Sequence, residues 1–123
     1  MARVLVVEDS PANMMLVLTL LESAGHTLLQ ADRAVLGIEI AQSEPLDLIL
    51  MDVQMPGMDG VEAMRILKSD ERTNTIPVIA LTAFAMKGDR ERLLAAGFDS
   101  YIEKPIDYLE FLAQVALITG RLA

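Results

Sequence analysis

"LILMDVQMPGMDG", residues 48–60, is the stretch on which the fold turns. Four apolar residues run unbroken into one acid, Asp52, and turn chemistry follows at Pro56-Gly57. A short continuous apolar run bounded by turn signals reads as a strand covered on both faces, as in a parallel sheet. A strand that merely stops would accept Asn, Ser or Gly at its tip. A lone acid in that place is most often a turn former, so the rest of the chain has to say whether Asp52 is more than that.

Working outward, strand-like runs occur at "RVLVV" (3–7), "TLLQA" (27–31), "LDLILM" (46–51), "IPVIALT" (76–82) and "SYIE" (100–103). Helical stretches are expected between them at 11–24, 34–43, 60–69, 86–95 and 107–119. Ser10-Pro11 has the form of an N-cap followed by proline in the first helical position, and Gly25 closes that helix. Asp59 suits the cap of the third helix, and Gly97 the end of the fourth. Five alternating β-α units with short connections predict an open α/β sheet. With no repeat, linker or low-complexity segment, residues 1–123 read as one domain.

The composition narrows the function. Of 123 residues, 53% are hydrophobic, enough for a single core. There is no cysteine, which excludes a disulfide framework and a thiolate metal site. A formal net charge of −8 repels a phosphate backbone, so no nucleic acid partner is expected. No apolar run is long enough to insert in a membrane, and "MARVLVVEDS" lacks the long apolar stretch of a signal peptide. The expected location is cytoplasmic.

In open α/β sheets, ligands bind beyond the carboxyl ends of the strands. Here strand 1 ends in Glu8-Asp9, strand 3 in Asp52 and strand 4 in Thr82, while strand 5 leads to Lys104-Pro105. Each residue alone has an ordinary reading: turn former, helix lead-in, strand-end filler, solvated cation. Taken together they place three carboxylates, a hydroxyl and an ammonium along one edge, if strands 1 and 3 are neighbours. Carboxylates that close raise one another's pKa unless a cation compensates, and Mg2+ does so through carboxylates, water and phosphate oxygens. Phosphoryl transfer needs such an ion, a nucleophile and donors aimed at three equatorial oxygens. Asp52 is the expected nucleophile.

These residues resemble the receiver domain of two-component response regulators. The likeness runs from "VLVVEDS" through "DLILMDVQMPGMDG" and "PVIALTA" to "YIEKPI", so it covers essentially the whole chain. It implies a flavodoxin-like, doubly wound, five-stranded parallel sheet of strand order 2-1-3-4-5. It also implies that Asp52 is the phosphoacceptor and that Mg2+ is held by Glu8, Asp9, Asp52 and the Gln54 backbone carbonyl, with Asp9 a direct ligand. By the same resemblance Thr82 contacts phosphoryl oxygens, Lys104 pairs with the phosphate, and Lys104-Pro105 is cis. Thr82 and the aromatic Tyr101 form the switch that reads phosphorylation. The implied partners are a histidine kinase or histidine phosphotransfer protein and a downstream protein target. Such a domain is a signalling switch rather than an enzyme. Small Ala83 and apolar Met55 offer nothing to orient an attacking water, which predicts slow self-dephosphorylation.

The chain stops at "ITGRLA" with no effector domain, so output is expected from the surface near helix 4, strand 5 and helix 5. On the last helix Tyr108, Phe111, Leu112, Val115 and Ile118 share a face expected on the sheet. Leu109, Ala113, Ala116 and Leu117 broaden its apolar arc, for extra packing or a homodimer. On the first helix, Met15 and Leu18 lie on the side of Glu22 and beside Asp9, where a helical phosphodonor could dock. His26 reads as a surface residue.

Other classes fit less well. A haloacid-dehalogenase-type phosphatase needs a second Asp two residues after the first, where Gln54 stands. "EDSPANMM" lacks the hydroxyls of a flavodoxin phosphate loop and the glycines of a Rossmann site. Two rival settings share the fold: a receiver excised from a hybrid histidine kinase, and a phosphorylation-independent scaffold.

Overall fold

The computed structural model describes residues 2–83 and 86–120. Five strands, β1 (Arg3–Val7), β2 (Thr27–Ala31), β3 (Leu48–Asp52), β4 (Val78–Thr82) and β5 (Ser100–Glu103), alternate with five helices. The helices are α1 (Pro11–Ser23), α2 (Ala34–Ser43), α3 (Gly60–Ser69), α4 (Lys87–Ala95) and α5 (Tyr108–Gly120). The sheet is parallel in the order β2-β1-β3-β4-β5, the flavodoxin-like arrangement. Chain direction across the sheet therefore reverses between β1 and β3.

Alternation along the central strands divides the core in two. Leu5, Val7, Ile49, Met51, Val78 and Ala80 face α2, α3 and Leu93 of α4. Val4, Val6, Leu48, Leu50, Ile79 and Leu81 face α1 and α5. Every residue of β3 and β4 is buried, so covering helices lie on both faces and the unbroken apolar runs are accounted for. The edge strands β2 and β5 are only partly buried.

The expected punctuation is present. Ser10 Oγ accepts from the Asn13 amide, and Asp59 Oδ1 accepts from the Glu62 amide at 2.9 Å. Gly25 and Gly97 take positive φ, +85° and +108°, one residue beyond the caps of α1 and α4. No helix among the described residues is long and apolar enough to cross a membrane.

Four expectations need correction. β3 begins at Leu48 rather than Leu46, because the Asp47 carboxylate turns back to accept the Arg3 amide at 2.9 Å. β4 begins at Val78 rather than Ile76; Pro77 carries no N–H, and the Val78 amide donates to the Asp99 carboxylate at 2.8 Å. Tyr108 is 57% exposed instead of packed on the sheet. Asp107 caps α5 through the Leu109 and Glu110 amides, and this first turn stands clear of the sheet until Phe111 meets it. His26 is half-buried rather than simply superficial, with Nδ1 accepting the Ala2 amide at 3.2 Å.

Candidate functional site

The carboxyl ends of β1 and β3 lie side by side at the point where strand order reverses. Glu8 continues β1 for one residue, its amide donating to the Ala31 carbonyl at 3.0 Å, and this keeps its side chain inside. Asp9 follows in the exposed turn that leads to Ser10 and α1. Asp52 is the last residue of β3, buried and in register with Leu81 of β4. The chain then bends sharply, with the Gln54 amide donating to Asp52 Oδ1 at 3.0 Å. A Cβ on Gly60, the first residue of α3, would lie 2.8 Å from the Asp52 carbonyl oxygen and 2.8 Å from Val53 Cα. Only glycine lets the start of α3 come so close to the end of β3.

Carboxylate oxygens of Glu8, Asp9 and Asp52 lie within 4.8 Å of one another. Lys104, just past β5, places Nζ 2.9 Å from Glu8 Oε1 and 3.2 Å from Asp52 Oδ2. The Lys104-Pro105 peptide bond is cis. Thr82 is buried at the end of β4, and its carbonyl accepts the Lys104 amide at 2.8 Å. β5 is thereby tied to β4 at the height of the site.

One ammonium serving two buried carboxylates leaves the pair unbalanced. Burial pushes the Asp52 carboxyl up, the neighbouring Glu8 pushes it further, and Lys104 offsets only part, so that it reaches about 7. Burial also opposes the charged form of Glu8, but its contacts with Asp52, the Lys104 ammonium and the Ser10 amide outweigh it and hold Glu8 below the usual range. For Lys104, burial is outweighed by the two carboxylates, and the ammonium is held more firmly. Near neutral pH the two acids therefore share a proton, which is the behaviour of close like charges.

A hard divalent cation fits these groups. Glu8 Oε1 is buried, and although Lys104 Nζ is at ion-pair distance it accepts no well-aligned hydrogen bond. Three carboxylates, one open to water at Asp9, form the oxygen donor set that Mg2+ takes with waters completing its shell.

Sequence reasoning missed one participant. The Gln54 side chain reaches across the site: Nε2 donates to Thr82 Oγ1 at 3.1 Å, and Oε1 accepts the Ala83 amide at 3.2 Å. Met55 points into the core and offers the site no polar group. The signal is legible in the sequence, since Gln54 stands two residues beyond Asp52. Tyr101 lies further along β5, paired with Ala80 and half-buried, with the Arg90 guanidinium 5.5 Å from its ring centre. Met15 is 70% exposed and Leu18 half-buried; with Glu8 and Asp9 they line one groove of about 710 Å³.

An open parallel sheet of this order, with an acidic crevice at its switch point, defines the class as a flavodoxin-like α/β domain. The family model for the response regulator receiver domain matches residues 4–116, and the chain belongs to that family. It is 47% identical over 118 residues to the sensor histidine kinase GacS of Pseudomonas protegens. It is 41% identical over 117 residues to the polar-differentiation response regulator DivK of Brucella abortus. The match takes in 94% of this chain and 13% of GacS, but 95% of both this chain and DivK. Among solved structures, the receiver domain of sensor histidine kinase PA1611 from Pseudomonas aeruginosa superposes with a TM-score of 0.89 at 34% identity. That comparison covers 97% of this chain and 98% of the other, and the PA1611 structure has a magnesium ion coordinated in its active site cleft. The Vibrio cholerae chemotaxis protein CheY4 superposes with a TM-score of 0.90 at 26% identity, covering 96% of this chain and 98% of that one. The chain is thus a receiver domain of two-component phosphorelay signalling, and receiver domains are signalling switches that work with histidine kinases or phosphotransfer proteins.

Proposed function

We propose that Asp52 is the residue on which this receiver carries its phosphoryl group. The buried carboxylate, gathered with the Glu8-Asp9 pair and within ion-pair distance of Lys104, is the observation that supports it. One Asp52 oxygen attacks the phosphorus of a phosphohistidine donor, the P–N bond breaks, the imidazole leaves, and a mixed anhydride remains on Asp52. Glu8, Asp9, Asp52 and the Gln54 carbonyl hold the Mg2+, which supplies positive charge between the anionic nucleophile and donor. Lys104 exchanges its carboxylate contacts for a phosphoryl oxygen, and the Thr82 hydroxyl donates to another. Acetyl phosphate with Mg2+ is expected to add one phosphoryl group to the wild-type protein by intact mass, and none to Asp52→Asn. Label retained in Asp52→Asn would sink the assignment, and a wild type that takes none would favour the scaffold.

Phosphorylation draws Thr82 inward, and Tyr101 turns into the space released, altering the surface of α4, β5 and α5. Self-dephosphorylation is slow, because exposed Ala83 carries no polar side chain to guide water; a label that decays within seconds in purified protein would contradict this. The groove lined by Met15 and Leu18 receives the helical donor. Glu at both positions should slow transfer from a phosphohistidine protein at least tenfold while acetyl phosphate labels at the wild-type rate. Leu109 and Leu117, 67% and 60% exposed on α5, support a homodimer through that helix, which sedimentation of the phosphorylated protein tests. The likeness to DivK and to GacS supports two settings for this chemistry, a stand-alone regulator and a module of a hybrid kinase.

A further inference from the structure

The Gln54 carboxamide spans from the bend after β3 to the end of β4, and its two contacts fall on groups that an acceptor site needs. A phosphoryl group offers acceptor oxygens only, so each oxygen not on the metal or Lys104 calls for a donor. Among the described residues, the Thr82 hydroxyl and the Ala83 amide are donors within the reach of Gln54, and the side chain already engages both. The hydroxyl can accept from Nε2 and still donate. The Ala83 amide has a single hydrogen, and Oε1 holds it at 3.2 Å.

We infer that the Gln54 side chain is a latch that stands in for the phosphoryl group. In the unmodified domain it occupies the Ala83 amide and leans on Thr82, and it must swing away before a phosphoryl oxygen can take that donor. The contact exists only in the unmodified form, so it biases the equilibrium against the phosphorylated arrangement. Gln54 is a positioning residue in this account, acting through Ala83 and Thr82. The inference rests on Asp52 as acceptor.

The test uses beryllium trifluoride, which mimics a phosphoryl group on a carboxylate, with Mg2+ and the full chain. Gln54→Met keeps the bulk without the polar atoms, and Gln54→Ala removes both. Both variants are expected to bind the mimic about 3–10-fold more tightly than wild type, the scale of one or two net hydrogen bonds. In the unliganded variants the Ala83 amide proton resonance should shift upfield, a change that altered packing elsewhere would not produce. Unchanged or weaker binding in both variants, or an Ala83 resonance that stays in place, would overturn the latch. A wild-type protein that fails to bind the mimic would overturn the acceptor assignment itself, and the latch with it.

Discussion

Where the strands begin, side chains that turn toward the sheet meet backbone amides. Asp47 accepts from Arg3, Asp99 from Val78, and His26 from Ala2. Where β1 and β3 end, the side chains meet one another, Glu8 against Asp52, with a single ammonium between them. Each group at the first edge has a neutral partner and needs nothing further. The second edge keeps a surplus of negative charge that only a proton or a metal relieves. The same strands thus carry a self-sufficient end and an unbalanced one, and the imbalance marks the end proposed to carry the phosphoryl group.

The strongest way to break this contrast is to remove the shared cation. Lys104→Met should destabilise the metal-free protein by about 2–4 kcal/mol at pH 8, because it strands two buried carboxylates. In urea titrations the loss should shrink at pH 6, where a proton on Asp52 substitutes for the ammonium. A loss independent of pH would mean that Lys104 acts through packing alone.

A second test is the pH dependence of Mg2+ binding. Asp52 titrates at about 7, and the ion competes with its proton. Affinity by isothermal titration should therefore rise roughly tenfold from pH 6 to pH 8. The two ends should also respond to pH in opposite senses. The folded pKa of Asp52 lies above its unfolded value, so its contribution to stability is present at low pH and fades as pH climbs through about 7. Burial holds His26 below the usual histidine range, so its contribution is present above that range and is lost on acidification. A metal affinity flat across this interval would remove the charge surplus from the account.

The smallest expected effect lies at the quiet edge. Asp99→Ala should cost about 1–2 kcal/mol by leaving the Val78 amide without its carboxylate, and the extent of acetyl phosphate labelling should stay at the wild-type level. Reduced labelling would show that the two ends are coupled through β4.

Much of this arrangement was legible in the residues. The unbroken runs at 48–51 and 78–81 foretold strands covered on both faces, and Ser10, Asp59, Gly25 and Gly97 marked where helices start and stop. The convergence of Glu8, Asp9, Asp52 and Lys104 followed from strand ends alone once β1 and β3 were neighbours. Strand starts were less legible, because Asp47 and Asp99 redirect backbone amides across gaps in sequence of 44 and 21 residues. Tyr108 was misplaced because helical periodicity says which residues share a face, not where along the helix the sheet begins to cover it. The reach of the Gln54 side chain toward β4 depends on strand order and on the bend after Asp52, neither of which local pattern encodes.

Gly60 gives the acidic end a mechanical property as well. The first residue of α3 rests on the backbone of the strand that ends in Asp52, with no room even for a methyl group. The seven-residue bend between them is closed by the Gly60 amide donating to the Val53 carbonyl at 3.1 Å, so it has little slack. Any side chain added at Gly60 must move either the helix or the carbonyl behind Asp52. A change aimed at the helix would then be felt as a misaligned Asp52 carboxylate, with every other charged group still in its place.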